Sequence, residues 1–195
     1  AEPLACCING QRNADIRLGD TVLVLGAGPI GLMHAALAKS AGARQVIVSE
    51  PNAARRQAAI DRGVDAVCDP SAESLVDIVR SRTDGLGADV AILAIGVPAL
   101  VNDAFNAVRK GGHVNLFAGF SAGATASIDV NIVHYNEIVV AVAIDAEPTW
   151  NYSLWADVYV YNYGYYYLYW VEEAVLIQEG VTYYWEIVVS SEDFI

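Results

Sequence analysis

The chain has 195 residues, 55% of them hydrophobic, and its 23 acidic against 11 basic residues leave a net charge of −12. Acidity on that scale excludes a basic grip on a nucleic-acid backbone, and no apolar run reaches the roughly 18 residues that a membrane-spanning helix needs. Three cysteines, Cys6, Cys7 and Cys68, are too few and too unevenly placed for a disulfide framework, so the expectation is one large domain with an appendage, without signal peptide or membrane segment, in a reducing cytoplasm.

In chain order, an apolar helix is expected over 3–13, then a strand over 21–25 made of Thr21-Val22-Leu23-Val24-Leu25. The next six residues, Gly26-Ala27-Gly28-Pro29-Ile30-Gly31, fit G-x-G-x-x-G and open a helix over 29–41. Pro29 suits its first turn and Gly42 its stop. A second strand over 45–49 ends at Glu50, nineteen residues past Gly31. Asn52 can cap a helix over 52–62; a strand follows at 65–68. Ser71, with Ser74 behind it, can cap a helix over 71–82. A strand is expected over 88–94 and a helix over 98–109, opened by Pro98 and ended by Lys110-Gly111-Gly112. Strands over 112–117 and 137–144 complete the pattern. These strands are continuously apolar, as expected when helices cover both faces of a parallel sheet. The reading is an α/β, doubly wound parallel sheet (a Rossmann fold) of order 3-2-1-4-5-6 over residues 1–145.

Each motif residue has a physical task. Gly26 allows the tight turn off the strand, Gly28 lets backbone approach a pyrophosphate, and Gly31 lets the helix lie close on the sheet. The helix that opens at Pro29 and Ile30 offers the unpaired N–H groups of its first turn, from Ile30 onward since Pro29 has none, to an anion. The carboxylate of Glu50 can accept both hydroxyls of a ribose and repels a 2′-phosphate, which favours NAD over NADP. Arg55 and Arg56 pull the other way, unless they are solvated residues on a helix whose apolar face is Ala54, Ala58 and Ile60. The loops after the fourth strand, Ala94-Ile95-Gly96, and the fifth, Phe117-Ala118-Gly119, flank the same crevice. Ile95 and Ala118 are therefore candidate cofactor contacts, against the alternative of ordinary strand-ending turns. His34, His113 and His134 are too far apart for a zinc spacing, and His34 reads as a packed or solvent-facing helix residue.

The chain changes character at 146–195. Ten of the eleven tyrosines and all four tryptophans lie between Trp150 and Trp185, and no Lys or Arg follows Lys110. The alternatives are an aromatic platform for sugars or bases, a membrane-interface segment, or an artificial tail with no binding role; the last is preferred.

Several landmarks carry a resemblance: Glu2-Pro3-Leu4-Ala5, the run from Leu18 to Gly31, Gly87-Ala88-Asp89-Val90, Lys110-Gly111-Gly112, and His134-Tyr135-Asn136-Glu137-Ile138. In this order, over residues 1 to about 140, the chain resembles the zinc-dependent medium-chain alcohol and polyol dehydrogenases, with sorbitol and threonine dehydrogenases as near cousins. Residues 171–180 more faintly resemble the family's last long helix. The resemblance implies NAD held at Gly28 to Gly31, Glu50 on the adenosine ribose and Arg55 beside the adenine. It implies hydride transfer from a small polyol or secondary alcohol bound to a catalytic zinc, with Glu2 at or near that metal. It also implies a homodimer or homotetramer formed through the apolar edge strand at 137–144.

The family's zinc ligands sit mainly in an N-terminal domain that this sequence does not contain. Val142 and Ala143 replace a Gly-Ser-like pair, and no catalytic residue can be placed. The expectation is the cofactor half of an enzyme, inactive alone. Its alternatives are a non-catalytic NAD(H)-binding module and a zinc-free, quinone-reductase-type medium-chain reductase.

Overall fold

The computed structural model describes residues 2–142, 151–162 and 165–176. The chain divides into two units, Ala1–Ala146 and Glu147–Ile195. In the first unit the elements run α1 (Glu2–Asn13), β1 (Thr21–Leu25), α2 (Pro29–Ser40), β2 (Gln45–Ser49), α3 (Ala53–Ile60), β3 (Ala66–Cys68), α4 (Leu75–Ser81), β4 (Ala88–Leu93), α5 (Ala99–Ala107), β5 (Val108–Leu116), α6 (Val130–Tyr135) and β6 (Val139–Val142). The six strands form one all-parallel sheet, order β3-β2-β1-β4-β5-β6. That is the doubly wound order expected from the alternation of apolar strands and helices.

The two-residue period of a strand explains both layers of core. Leu23, Leu25, Ile47, Ala91 and Leu93 point to one face and pack with Val79 of α4 and Val101 and Phe105 of α5. Their neighbours Val22, Val24, Val46, Val48, Val90 and Ile92 point to the other face and pack with Ala35 and Ala38 of α2 and Ala59 of α3. Every residue of β1 is buried, because it lies in the middle of a sheet covered on both sides. Each fully buried Val or Leu contributes about 1.5–3 kcal/mol relative to exposure, so these two layers are the main stabilising term of the unit.

Several boundaries depart from the sequence expectation, among them the start of β6 at Val139 rather than at 137. The helix α5 ends at Ala107, and Lys110-Gly111-Gly112 lies inside β5 rather than at a helix stop. The register of β4 against β5 shifts between Ala88 and Val90, and within that irregularity Gly111 takes φ +67, which glycine adopts without a Cβ penalty. The helix expected from 71 starts at Leu75. Ser74 caps it, accepting from the Asp77 N–H at 3.3 Å, whereas the Ser71 N–H donates to Asp69. The short α6, capped by Asp129, falls in a stretch where no element was expected. Residues 143–144 of the expected last strand, and with them Ala143, lie outside the described residues.

The second unit contains β7 (Asn151–Asn162) and β8 (Tyr165–Leu176), an antiparallel pair in register from Asn151↔Leu176 to Asn162↔Tyr165. Residues 171–176, where the resemblance implies a helix, are therefore strand. The preceding aromatic and β-branched run from Tyr165 to Val171 favours extended backbone, and a partner of equal length pairs with it. Residues 177–180 of that implied helix lie outside the described residues. Among the described residues, no helix is long and apolar enough to cross a membrane.

Candidate dinucleotide site

The carboxyl ends of β1, β2, β4 and β5 come together at one edge of the sheet. Gly26 leaves β1 with φ +103, a conformation that costs a residue with a Cβ but not glycine, and its N–H donates to the Ser49 carbonyl at 2.8 Å. A Cβ at Gly31 would sit 2.0 Å from the Gly26 carbonyl oxygen, so the chain itself demands glycine there. Gly28 is different. It caps α2 in extended backbone (φ −70, ψ 178), and a Cβ there would meet no atom of the chain within 4 Å. Nothing in the chain itself therefore demands glycine at Gly28, and the turn is open on that side. Pro29 is exposed and Ile30 half-buried at the first turn of α2, where helix N–H groups lack intrahelical partners.

Glu50 follows β2 and is only 4% exposed. Its Oε2 accepts the Ala27 N–H at 2.8 Å, and its Oε1 accepts the Asn52 N–H at 2.9 Å. Asn52 in turn caps α3 by accepting the Arg55 N–H at 3.0 Å. The two arginines separate in role. Arg56 donates to the carbonyls of Glu50 and Pro51 at 2.8 and 2.7 Å and pairs with Asp69 at 2.9 Å. Arg55 stays 59% exposed, with Nη1 3.9 Å from Glu50 Oε2.

The flanking loops are built stepwise. The Ala94 N–H donates to the Leu25 carbonyl at 3.0 Å and the Ala118 N–H to the Leu93 carbonyl at 2.9 Å. Gly96 passes so near the fifth-strand loop that a Cβ would meet the Gly119 carbonyl at 2.1 Å. Ile95 is 41% exposed beside Gly26, and Ala118 is half-buried. Gly26, Gly28, Pro29, Ile30, Gly31, Glu50, Arg55, Ile95 and Ala118 thus lie on loops and helix starts of one sheet edge. Glu2 begins α1, and its side chain lies outside what the structure describes. Among the described residues, no group of three His, Cys, Asp or Glu could hold a metal ion.

The family model described as zinc-binding dehydrogenase matches residues 29–153. The chain belongs to that family. Scyllo-inosose 3-dehydrogenase of Thermotoga maritima is 47% identical over 102 residues, 51% of this chain and 26% of the relative. L-threonine 3-dehydrogenase of Thermococcus kodakarensis is 35% identical over 141 residues, 72% of this chain and 38% of the relative. The chain thus spans well under half the length of these curated relatives. A Sinorhizobium meliloti structure described as a zinc-binding dehydrogenase bound to NADP superposes with a TM-score of 0.70 at 34% identity, covering 73% of this chain and 42% of that one.

In this member of the zinc-binding dehydrogenases, a second polar group lies beneath α1. His34 of α2 is fully buried, with its ring 4.3 Å from that of Phe117 and edge-on to it. The Gln11 amide nitrogen donates to His34 Nδ1 at 3.2 Å and to its carbonyl at 2.7 Å. The proton then sits on Nε2, which is buried without a hydrogen-bond partner, as is Asn115 Oδ1. Burial pushes the His34 pKa down to about 4. His34 is thus a packed residue, the first of the two readings its sequence position left open. What sequence reasoning missed is Gln11, and the backbone donors Ala27 and Asn52 at Glu50. The only sequence signal for the latter is an acid two residues before a helix cap.

Proposed function

We propose that this chain is the cofactor-holding part of an oxidoreductase that moves hydride from a small polyol or secondary alcohol to NAD, with zinc held mostly by residues outside this chain. The observation that carries the reading is the open backbone at Gly28 beside the start of α2, with a buried carboxylate, Glu50, at the next strand end. When bound, NAD supplies the hydride-accepting nicotinamide, and in the parent enzyme zinc polarises the alcohol oxygen. The part of this chain is to bind and orient. Gly28 and the first turn of α2 receive the pyrophosphate, and Glu50 receives the adenosine ribose while Arg55 covers the adenine. Ile95 and Ala118 bound the nicotinamide end. The described residues do not make a zinc centre, and Glu2 supplies one donor at most.

Glu50 also carries the cofactor preference. A buried negative charge repels a 2′-phosphate, and of the two nearby arginines Arg56 is committed to Asp69 while Arg55 stands ready to offset it. The Sinorhizobium relative is bound to NADP, which makes the choice a sharp test. Titration of the chain with NADH and NADPH by fluorescence should show NADH tighter by about tenfold or more, a difference of about 1.4 kcal/mol. Equal affinity overturns the preference, and no affinity for either overturns the dinucleotide reading. In the parent protein, zinc-dependent turnover of a polyol with NAD separates the enzyme from a non-catalytic module and from a zinc-free reductase.

The proposed assembly is a homodimer or homotetramer through β6. Among the described residues its one neighbour in the sheet is β5, and its Val139 is exposed. Light scattering at micromolar concentration should give at least twice the mass of one chain. A monomer mass would count against the assembly. A cytoplasmic home goes with three cysteines too few for a disulfide framework.

A further inference from the structure

Glu50 does more in this structure than wait at a strand end. Three chain segments meet on its carboxylate: its own strand β2, the glycine turn through the Ala27 N–H, and the entry to α3 through the Asn52 N–H. An ionised carboxylate has about four acceptor positions. Two are taken by backbone donors, one on each oxygen, which leaves one on each oxygen for the two hydroxyls of a ribose. The backbone ties and the ribose contacts therefore need not compete. The segment holding the carboxylate is itself pinned, because Arg56 clamps the carbonyls of Glu50 and Pro51 while pairing with Asp69.

We infer that Glu50 is a positioning residue for the pyrophosphate turn as well as the ribose acceptor: through the Ala27 N–H it sets the turn that Gly28 exposes to the phosphates. The inference rests on the dinucleotide reading above and extends it to a coupling between two halves of the ligand. Ala27 lies between Gly26, whose positive φ gives the turn its freedom, and Gly28, whose backbone faces the ligand. A buried charge-assisted hydrogen bond at Ala27 removes that freedom before the ligand arrives, so less ordering is left to the binding step.

The test uses the full 195-residue chain, with adenosine and ADP as probes. Both carry the ribose; only ADP carries the diphosphate. Glu50→Asp keeps the charge but draws the carboxylate back by about 1.5 Å, one carbon–carbon bond, out of reach of both backbone donors together. Calorimetric titration should show ADP weakened about five- to tenfold more than adenosine, the worth of one hydrogen bond in the turn. Hydrogen exchange at the Ala27 amide should speed up about tenfold in the free variant. Should Glu50→Asp lose its cooperative transition, Glu50→Gln provides the second comparison. It keeps the length but has one acceptor oxygen, so it cannot accept both backbone N–H groups; loss of a negative charge would by itself favour the diphosphate, so ADP weakening more than adenosine again marks the lost tie to Ala27. Equal weakening of both probes, with Ala27 exchange unchanged, overturns the positioning role and leaves Glu50 as ribose acceptor alone. Wild-type chain that binds neither probe overturns the dinucleotide reading and this inference with it.

Discussion

The two ends of the sheet use one device for different ends. At the amino end, Asp89 accepts the Thr21 N–H at 2.7 Å and pairs with Arg109, and Asp65 accepts the Val46 N–H at 2.7 Å and pairs with Lys39 at 2.8 Å. Each carboxylate ties a strand start and is neutralised by a cation of the same chain. At the carboxyl end, Glu50 ties the Ala27 and Asn52 N–H groups, but its nearest cation, Arg55, stops at 3.9 Å. A carboxylate whose partners are all internal stabilises the fold. One held by backbone donors, with a mostly exposed arginine at the outer limit of ion-pair distance, keeps acceptor capacity for something else. The same contrast separates Gly31, filled by the chain's own carbonyl, from Gly28, open on the side a ligand would approach.

The glycine pair gives the largest effect by which to break this comparison. Gly31→Ala drives a Cβ to 2.0 Å from the backbone carbonyl of Gly26, and backbone cannot rotate out of the way as a side chain can. Urea unfolding should show a loss of about 3 kcal/mol or more. Gly28→Ala meets no atom of the chain and sits in backbone that alanine accepts, so its stability should stay within about 0.5 kcal/mol of wild type. Its affinity for NADH should nevertheless fall about tenfold or more, some 1.4 kcal/mol. If Gly28→Ala destabilises the fold instead, or binds NADH unchanged, the division between internal and ligand-facing positions fails.

Much of this site was legible in the residues. The run Val22–Leu25 followed by Gly26, Gly28 and Gly31 locates the turn, because Gly26 answers to a steric demand of the turn and Gly31 to one of the helix, with Gly28 between them. Glu50 is legible by distance from that turn. Its bonds to Ala27 and Asn52 are not, because a backbone N–H donor is the same in every residue and leaves no mark in the sequence. Lys110-Gly111-Gly112 reads as a helix stop, since two glycines end a helix and bulge a strand with the same local chemistry. Only the pairing of β5 with β4 decides between them. The six-residue α6 is too short to show a helical period. His34 stays ambiguous until Gln11, 23 residues earlier in sequence, is seen to hold it.

Acid separates the interior beneath α1 from the amino-end ties. His34 has a folded pKa of about 4 against 6.5 unfolded, lowered by burial. Between those values the unfolded chain binds the proton and the folded chain does not, so stability falls as pH drops from 6.5 to 4 and levels below. The loss at pH 4 is about 3 kcal/mol. His113, also pushed down by burial despite the pull of Asp15, adds in the same direction. Urea midpoints measured from pH 7 to pH 4 should therefore slope downward. His34→Gln should remove most of the slope and His113→Gln less; a slope unchanged in His34→Gln means that the ring is not held neutral by burial.

The smallest effect sharpens the contrast most. At Asp65 burial raises the pKa, but the Lys39 and Val46 bonds outweigh it, and the carboxyl titrates below its usual 3.8. A lowered carboxyl pKa gives stability that is present above 3.8 and is lost as pH falls through the folded value, so this tie fails at lower pH than the range over which most of the His34 loss occurs. Asp65→Asn keeps an acceptor for the Val46 N–H and loses a half-exposed ion pair, which is worth about 1 kcal/mol or less and shrinks with salt. The variant should lower the urea midpoint slightly, flatten the acid limb below pH 4, and leave NADH affinity as it was. An equally mild change at Glu50 should move the affinity as well as the midpoint, because the backbone ties and the proposed ribose contacts share one buried carboxylate. Should Asp65→Asn weaken NADH binding, the amino end would be coupled to the ligand through β2, and the two ends would no longer be independent uses of one bond.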